Sequence, residues 1–364
     1  MKIKEVIILL EELAPISYTE DFDNTGLLVG DKNNTVSGVL VTLDTLESVV
    51  DEAITNNCNL IISFHPIIFS GLKKLTGRNY VERTVIKAIK NNIAIFAIHT
   101  ALDNSWNGVN AMICDKLNLK KRKILIPKNS TIQKLITYVP NESAEKVRNA
   151  LFNSGAGNIG NYSNCSFNME GIGSYMGNDE SNPVIGERRE IRFEKEVQIG
   201  ITYQKHVQSS VLKALFTSHP YEEVAYEITT LDNNNQQIGM GMIGELNAPL
   251  NENDFLKFLK ESMNTKCVRH SKLTQQTISK IAVLGGSGSF AIQAAKQAGA
   301  DAFVTADLKY HDFFNAENSI LLADIGHYES EQYTKELLVS FLNKKITTFA
   351  VVLSQINTNP ITYY

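Results

Sequence analysis

The chain has 364 residues, 43% of them hydrophobic and 20% charged, with a formal net charge of −4. That length suits two or three domains of a normal globular protein rather than one core. The weak negative charge gives no electrostatic case for nucleic acid as a partner. No apolar run approaches the roughly 20 residues of a membrane span, so no membrane association is expected. The four cysteines, Cys58, Cys114, Cys165 and Cys267, form no CxxC pair. Their spacing fits a cytoplasmic, reducing location and argues against a thiolate zinc site.

The N-terminal MKIKEVIILLEEL is expected to form an amphipathic helix. Glu5, Glu11 and Glu12 break its apolar stretch, and no small-residue cleavage site follows, so it does not read as a signal peptide. Strand and helix patterns then alternate. GVLVTLD (38–44), LIISF and IAIFAI are strand-like, with helices over 46–56, 81–91 and 109–118. Such alternation implies βαβ units. The middle of the chain differs. ITYVP (136–140), CSFNMEGIGSY, EIRFEKEV, IGITY and VAYEITTL read as strands, and ESAEKVRNALFN and VQSSVLKALFTS as helices. Their order, β-α-β-β-α-β, is that of a ferredoxin-like split βαβ unit. The polar DNNNQQ (232–237) reads as its exit linker. The α/β pattern then returns in KIAVLGG (280–286), DAFVTAD (301–307) and ILLADIG (320–326), with helices over 290–299 and about 329–343 and a last strand TTFAVVLS. The expected fold class is α/β: a duplicated α/β core with mostly parallel sheets, interrupted by an inserted ferredoxin-like α+β domain. The expected domains are 1–130 and 236–364 for the two parts of the core, and 131–235 for the insert.

Four strand-like runs end in ligand-type residues. LIISF leads to His65, IAIFAI to His99 and Asp103, FVTA to Asp307, and ILLA to Asp324 and His327. Ligands collect just past the carboxyl ends of strands in open parallel sheets, so these residues are expected to share one site. Imidazole plus carboxylate, without Cys, is the donor set of a hydrolytic metal centre. His327 and Glu331 lie four residues apart, on one face of an expected helix. Each residue also has a blander explanation. Glu329 and Glu331 suit a helix N-terminus, Asp103 suits an Asx turn or cap, and a lone His65 before Pro66 can simply end a strand. GGSGSF (285–290) matches G-x-G-x-x-A through Gly286, Gly288 and Ala291, with Asp307 about 20 residues on, so a dinucleotide fingerprint is considered. Two other readings of this loop are open. Ser287 and Gly288 could hold a substrate anion beside a metal, or the glycines could serve packing alone. In SHPYEEVAYEI the acids read as a solvent face and His219 as a turn residue, and Asp23-Asn24 reads as a connection that could support the site.

Taken together, DNTGLLVGD, HPIIFSGLKKLT, HTALDNSWNGVN, GGSGSF, VTADLKYHDFFNA and GHYESEQ closely resemble the GTP cyclohydrolase 1 type 2 homologue family, also called Ngg-interacting-factor-3-like. The resemblance is to its long bacterial form with an inserted PII/CutA-like domain. It implies a site for one or two divalent ions per subunit, probed first as zinc, and a toroidal homohexamer. Carried onto this chain, the implied metal ligands are His65, Asp103, His327 and Glu331, the last bridging two ions. His99 and Asp324 would support the ligands from behind, and His311 or Asp307 would transfer protons. The family usually has two histidines before the proline, whereas this chain has Phe64-His65. Phenylalanine cannot bind a metal, so one ion is short of an imidazole, for which His99 is the nearest substitute in sequence. The expected function is a metal-dependent hydrolase acting on a nucleotide-like or phosphorylated small molecule. The alternative is a non-catalytic metal-binding hexameric scaffold or a regulatory ligand-binding protein.

Overall fold

The computed structural model describes residues 1–364. Its contacts divide the chain into two compact units, Met1–Pro127 with Gln237–Tyr364, and Lys128–Gln236. No helix is long and apolar enough to cross a membrane.

The N-terminal part of the first unit contains α1 (Ile3–Leu13), β1 (Gly26–Val29), β2 (Val39–Thr42), α2 (Glu47–Thr55), β3 (Leu60–Ser63), α3 (Tyr80–Lys90), β4 (Ala94–Ala97), α4 (His99–Asp103), α5 (Val109–Lys116) and β5 (Lys120–Pro127). α1 buries Ile3, Val6 and Leu10, the stripe its periodicity predicts. Every residue of β2, β3 and β4 is buried. This is why these strands read as unbroken apolar runs: parallel strands covered on both faces have no polar side.

The second unit holds β6 (Ile132–Pro140), α6 (Ala144–Asn153), β7 (Phe167–Met176), β8 (Ile191–Gln204), α7 (Gln208–Ser218) and β9 (Tyr226–Leu231). They form one antiparallel sheet in the order β7-β8-β6-β9, a split β-α-β arrangement. EIRFEKEV and IGITY, expected as two strands, are one strand of 14 residues. Gln198 between them pairs with both Tyr138 and Met169, so the ladder runs on without a turn.

The chain re-enters the first unit with β10 (Gly239–Asn251), α8 (Glu252–Ser262), β11 (Arg269–His270), β12 (Thr277–Ser287), α9 (Ile292–Gln297), β13 (Ala302–Ala306), β14 (Leu321–Asp324), α10 (His327–Glu331), α11 (Thr334–Asn343) and β15 (Val351–Leu353). Two sheets result, β1-β4-β3-β2-β15 and β11-β14-β13-β12-β10-β5. The first is parallel except for β1. The second departs from the expected mostly parallel sheet, because only β12, β13 and β14 run parallel while β11, β10 and β5 pair antiparallel. The antiparallel edge has a topological reason. The chain leaves the first unit on β5 and returns on β10 beside it, with Gly239 opposite Pro127. β15 crosses back to complete the first sheet next to β2. The helix expected over 329–343 is two, α10 and α11.

Candidate metal centre

Each side chain of the site follows a buried strand. Asp44 and His65 lie two residues beyond β2 and β3, His99 opens α4 after β4, Asp307 follows β13, and α10 follows β14. The backbone fixes these ends against one another, with His65 N donating to Leu43 O at 2.9 Å and His99 N to Phe64 O at 2.9 Å. The two sheets thereby bring His65, His327 and Glu331 together, with one donor atom from each lying within 4.8 Å of the others. His65 Nε2 and His327 Nε2 stand 3.1 and 3.2 Å from Glu331 Oε2. The two Nε2 atoms are 3.4 Å apart.

The far side of each ring is held by a carboxylate. His65 Nδ1 meets Asp44 Oδ1 at 2.8 Å, and His327 Nδ1 meets Asp307 Oδ2 at 2.7 Å. An ionised carboxylate only accepts, so each ring donates from Nδ1 to its aspartate and turns Nε2, the atom a metal would take, toward Glu331. This is the carboxylate–histidine arrangement that fixes imidazole orientation at metal sites.

The electrostatics of the metal-free cluster favour protonated rings, so a metal ion would displace a proton from Nε2 of each. Burial alone would lower the pKa of His65, but Glu331 and Asp44 outweigh it and raise it to about 10. His327 is raised to about 11, the bond to Asp307 and the charge of Glu331 overcoming its burial. Burial would favour a neutral Glu331, yet the two rings hold it down at about 2. Asp103 is fully buried and pushed well above the carboxylate range, first by burial and then by the charge of Glu331. Two buried oxygens, Glu331 Oε2 and Asp103 Oδ1, have no aligned hydrogen bond. Rings 3.4 Å apart at their nitrogens cannot both present a proton there without repulsion. A divalent cation satisfies the lone pairs and the orphaned oxygens together, so the residues present fit a metal ion. Two imidazoles and a carboxylate also form a donor set of catalytic zinc sites that leaves a position open.

The remaining residues singled out in the sequence fall differently. Asp103, on α4, is outside the three-residue cluster, although its charge is coupled to all three members. His99 repeats the carboxylate–imidazole pairing, with Nδ1 2.9 Å from Asp23 Oδ1, and its ring centroid lies 5.2 Å from that of His65. Asp23 also accepts from Thr100 N and Oγ1 and is held at about 2; burial opposes this, and His99 leads the groups that lower it. Phe64 is fully buried in the core, its ring 4.9 Å from His65 and edge-on to His99 at 5.5 Å.

Several expectations are corrected. Asp324 does not support a metal ligand; it binds Arg269 and accepts from the Leu308 and Gly326 amides, holding the loop after β14. Asp307 is engaged by His327 and Ser287 and lowered by its bond to His327, which makes it an orienting group rather than a proton carrier. His311 is exposed on the turn after β13, and its ring contacts are Tyr310 and Phe314. Ser287 Oγ is committed to Asp307 and Gly288 N to Ala306 O, so neither is open to a substrate anion. The dinucleotide reading fails for the same reason, because the Gly285 and Gly286 amides are taken by Asn110 and Ser330. The glycines serve close approach. Gly286 has φ 70°, and a Cβ there would overlap Glu331 Oε1, while one at Gly288 would overlap Thr305. His219 is a buried structural residue between Tyr138 O and Tyr221 N. Asp44 was the residue the sequence reading passed over, although it closes GVLVTLD just as Asp307 closes DAFVTAD.

Residues 1–360 match the family described as Duf34/NIF3 (NGG1p interacting factor 3). The chain belongs to the Duf34/NIF3 family. A Bacillus subtilis relative named GTP cyclohydrolase 1 type 2 homolog is 38% identical over 366 residues, covering 99% of this chain and 98% of its own length. A Staphylococcus epidermidis relative of the same name is 34% identical over 367 residues and the whole of both chains. Among solved structures, a Bacillus cereus protein related to NIF3 superposes with a TM-score of 0.87 at 36% identity, over 100% of this chain and 99% of that one. The Duf34/NIF3 fold extends to a Methanocaldococcus jannaschii protein, reduced HcgD, at a TM-score of 0.59 and 18% identity over 98% of each chain.

Proposed function

We propose that this Duf34/NIF3 protein holds a divalent ion, zinc in the first instance, on His65, His327 and Glu331 and uses it in hydrolysis of a small molecule. One observation carries the reading: three ligand atoms within 4.8 Å, with each imidazole backed by its own carboxylate. Asp103, buried with an unpartnered oxygen, is the additional ligand. A bound divalent ion supplies Lewis acidity and a water of lowered pKa. The chain supplies the rest. Asp44 and Asp307 orient the two imidazoles, Gly286 lets β12 approach Glu331, and Ser287 braces Asp307.

The relatives' name supports GTP, other nucleotides and phosphorylated small molecules as the first substrates to try. A homohexamer, a duplicated core, a PII/CutA-like character for Lys128–Gln236 and a cytoplasmic location are further parts of this proposal and rest on the motif resemblance alone. A second reading is a non-catalytic metal-binding scaffold or ligand-responsive regulator. Phe64 favours it, because an apolar ring stands beside His65 and His99 where a second imidazole would serve a second ion. The deciding experiment compares zinc-loaded and chelated protein, and His327→Ala, against GTP, other nucleotides and phosphate esters. Turnover that needs metal and disappears in His327→Ala supports the hydrolase. Metal binding without turnover across the panel supports the scaffold.

A further inference from the structure

The two sheets of the first unit supply different ligands to the metal centre. His65 follows β3 of the first sheet, while His327 and Glu331 sit on α10, which follows β14 of the second. A further segment touches both halves. After β15 the chain runs on from Ser354 without helix or strand, held by acids on three other parts of the unit. Ser354 Oγ donates to Glu52 Oε2 of α2, and Gln355 N donates to Glu52 Oε1 at 2.7 Å. Thr358 Oγ1 donates to Asp44 Oδ2 at 2.6 Å, and Asn359 Nδ2 to Glu329 Oε1 at 3.1 Å.

Two consecutive residues therefore grip the two halves. Asp44 is the carboxylate behind His65, and Glu329 lies on α10 between His327 and Glu331. Thr358 is only 6% exposed, although Asn357 and Pro360 around it are exposed. The Asn359 amide is oriented: its Oδ1 accepts from Ile361 N at 3.0 Å, which leaves Nδ2 for Glu329. Asn359 N in turn donates to Asn357 Oδ1 at 3.0 Å, and Pro360 biases Asn359 toward an extended backbone. Glu329 is buried, and its Oε2 has no aligned hydrogen bond. That oxygen lies where a Cβ at Gly326 would fall, and Tyr363 Oη of the same segment reaches the same spot. The Tyr363 phenol is pushed up, first by burial and then by the charge of Glu329. A carboxylate this buried is costly unless its partners stay in place, so the segment that holds Glu329 also holds α10.

We propose, on the reading of His65, His327 and Glu331 as ligands, that Thr358 and Asn359 are positioning residues: a clasp that keeps the two halves of the metal centre in register. Thr358 acts on the ion through Asp44, and Asn359 acts through Glu329 and α10. The clasp lowers the conformational freedom that the halves lose when an ion joins them.

The test is zinc affinity of the full chain, by competition with a chromophoric chelator, for Thr358→Val, Asn359→Ala, the two together, Thr358→Ser and Ser354→Ala. Removing a partner that touches a metal-bound imidazole costs about 10–100-fold; these groups stand one contact further out, so each single loss should cost about 3–5-fold and both together about tenfold. Thr358→Ser keeps the hydroxyl and should stay within about twofold of wild type. Ser354→Ala loosens the segment at Glu52, away from the ion, and should lower the unfolding temperature with zinc affinity unchanged. In cobalt-substituted protein the visible ligand-field spectrum should change in the double variant and not in Ser354→Ala. A folded double variant within about twofold of wild type overturns the clasp and leaves the metal centre standing; should it not fold, the two single variants decide by the same criterion. Affinity that falls in step with unfolding temperature across all variants, Ser354→Ala included, also overturns it, because a brace for stability alone would do that. Wild type that binds no zinc overturns the metal centre and the clasp together.

Discussion

Asp44→Asn tests whether the carboxylate behind His65 sets up that ring as a ligand. Asp44 accepts from His65 Nδ1 at 2.8 Å through Oδ1 and from Thr358 Oγ1 at 2.6 Å through Oδ2. Asparagine offers one acceptor and one donor where the aspartate accepts on both sides. If its carbonyl takes the Thr358 hydroxyl, its amide points at Nδ1, moves the ring proton to Nε2 and blocks the lone pair that faces Glu331. If it turns the other way, the tautomer survives but the anion that raises the ring's basicity is gone. Losing such a partner costs about 10–100-fold in metal affinity, or about 1.4–2.7 kcal/mol. The Asp44 side chain is 32% exposed, so solvent screens part of its charge. The expected loss therefore sits in the lower half of the range, about 10–30-fold. Competition for zinc against a chromophoric chelator at fixed pH measures it. Thr358→Val, which removes only the outer hydrogen bond, should cost a few-fold at most. A folded Asp44→Asn protein within twofold of wild type would refute the orienting role.

Metal affinity should climb with pH, because His65 and His327, raised to about 10 and 11, must release protons to bind. The gain is up to about tenfold per pH unit for each proton displaced, and calorimetry in buffers of different ionisation enthalpy counts those protons; a pH-independent affinity contradicts the assignment. In the metal-free chain the raised imidazoles contribute stability that is full below their ordinary 6.5 and is lost as pH rises through about 10 to 11. The depressed Glu331 contributes above its ordinary 4.5 and loses that contribution as pH falls toward about 2, so denaturation of apo-protein should report both limbs. Phe64→His should destabilise the apo-protein by about 2–4 kcal/mol in urea unfolding, as a fully buried ring is replaced by a polar one. It should also raise metal content toward about two ions per chain, and unchanged content would mean that Phe64 does not stand in a ligand's place. Gly286→Ala should cost about 1–2 kcal/mol through its positive φ and displace Glu331, so metal binding should fall with stability; wild-type metal affinity in that variant would contradict the close-approach argument.

β2, β3 and β4 of the first sheet and the positions of their ligands were legible because these strands are buried on both faces, and residues such as His65 interrupt their apolar runs abruptly; β1 was not, since its segment read as a connection. The His327–Glu331 pair was legible from its helical spacing, and the structure brings both side chains to His65. β5 and β10 were not. β5 opens on KKRK, which reads as a solvated loop, and β10 contains Gly239, Gly241 and Gly244, which read as turns. Those glycines are needed because neighbouring strands crowd the backbone, and that is a property of the sheet and not of the segment. The roles of Asp307 and Asp324 could not be separated by sequence, since each ends a buried strand and only the fold decides which one meets an imidazole. His311 entered only through the family resemblance, and it lies exposed, edge-on to the Tyr310 ring and tilted against that of Phe314.

Metal binding by His65, His327 and Glu331 is open to direct measurement. Elemental analysis of wild type and His327→Ala, both purified without chelator or affinity nickel and then reconstituted with zinc, tests it most directly. About one ion per chain or more is expected in wild type and a loss of at least one ion in His327→Ala, with both proteins folded. Metal-free wild type after reconstitution, or equal metal in the two proteins, would contradict it.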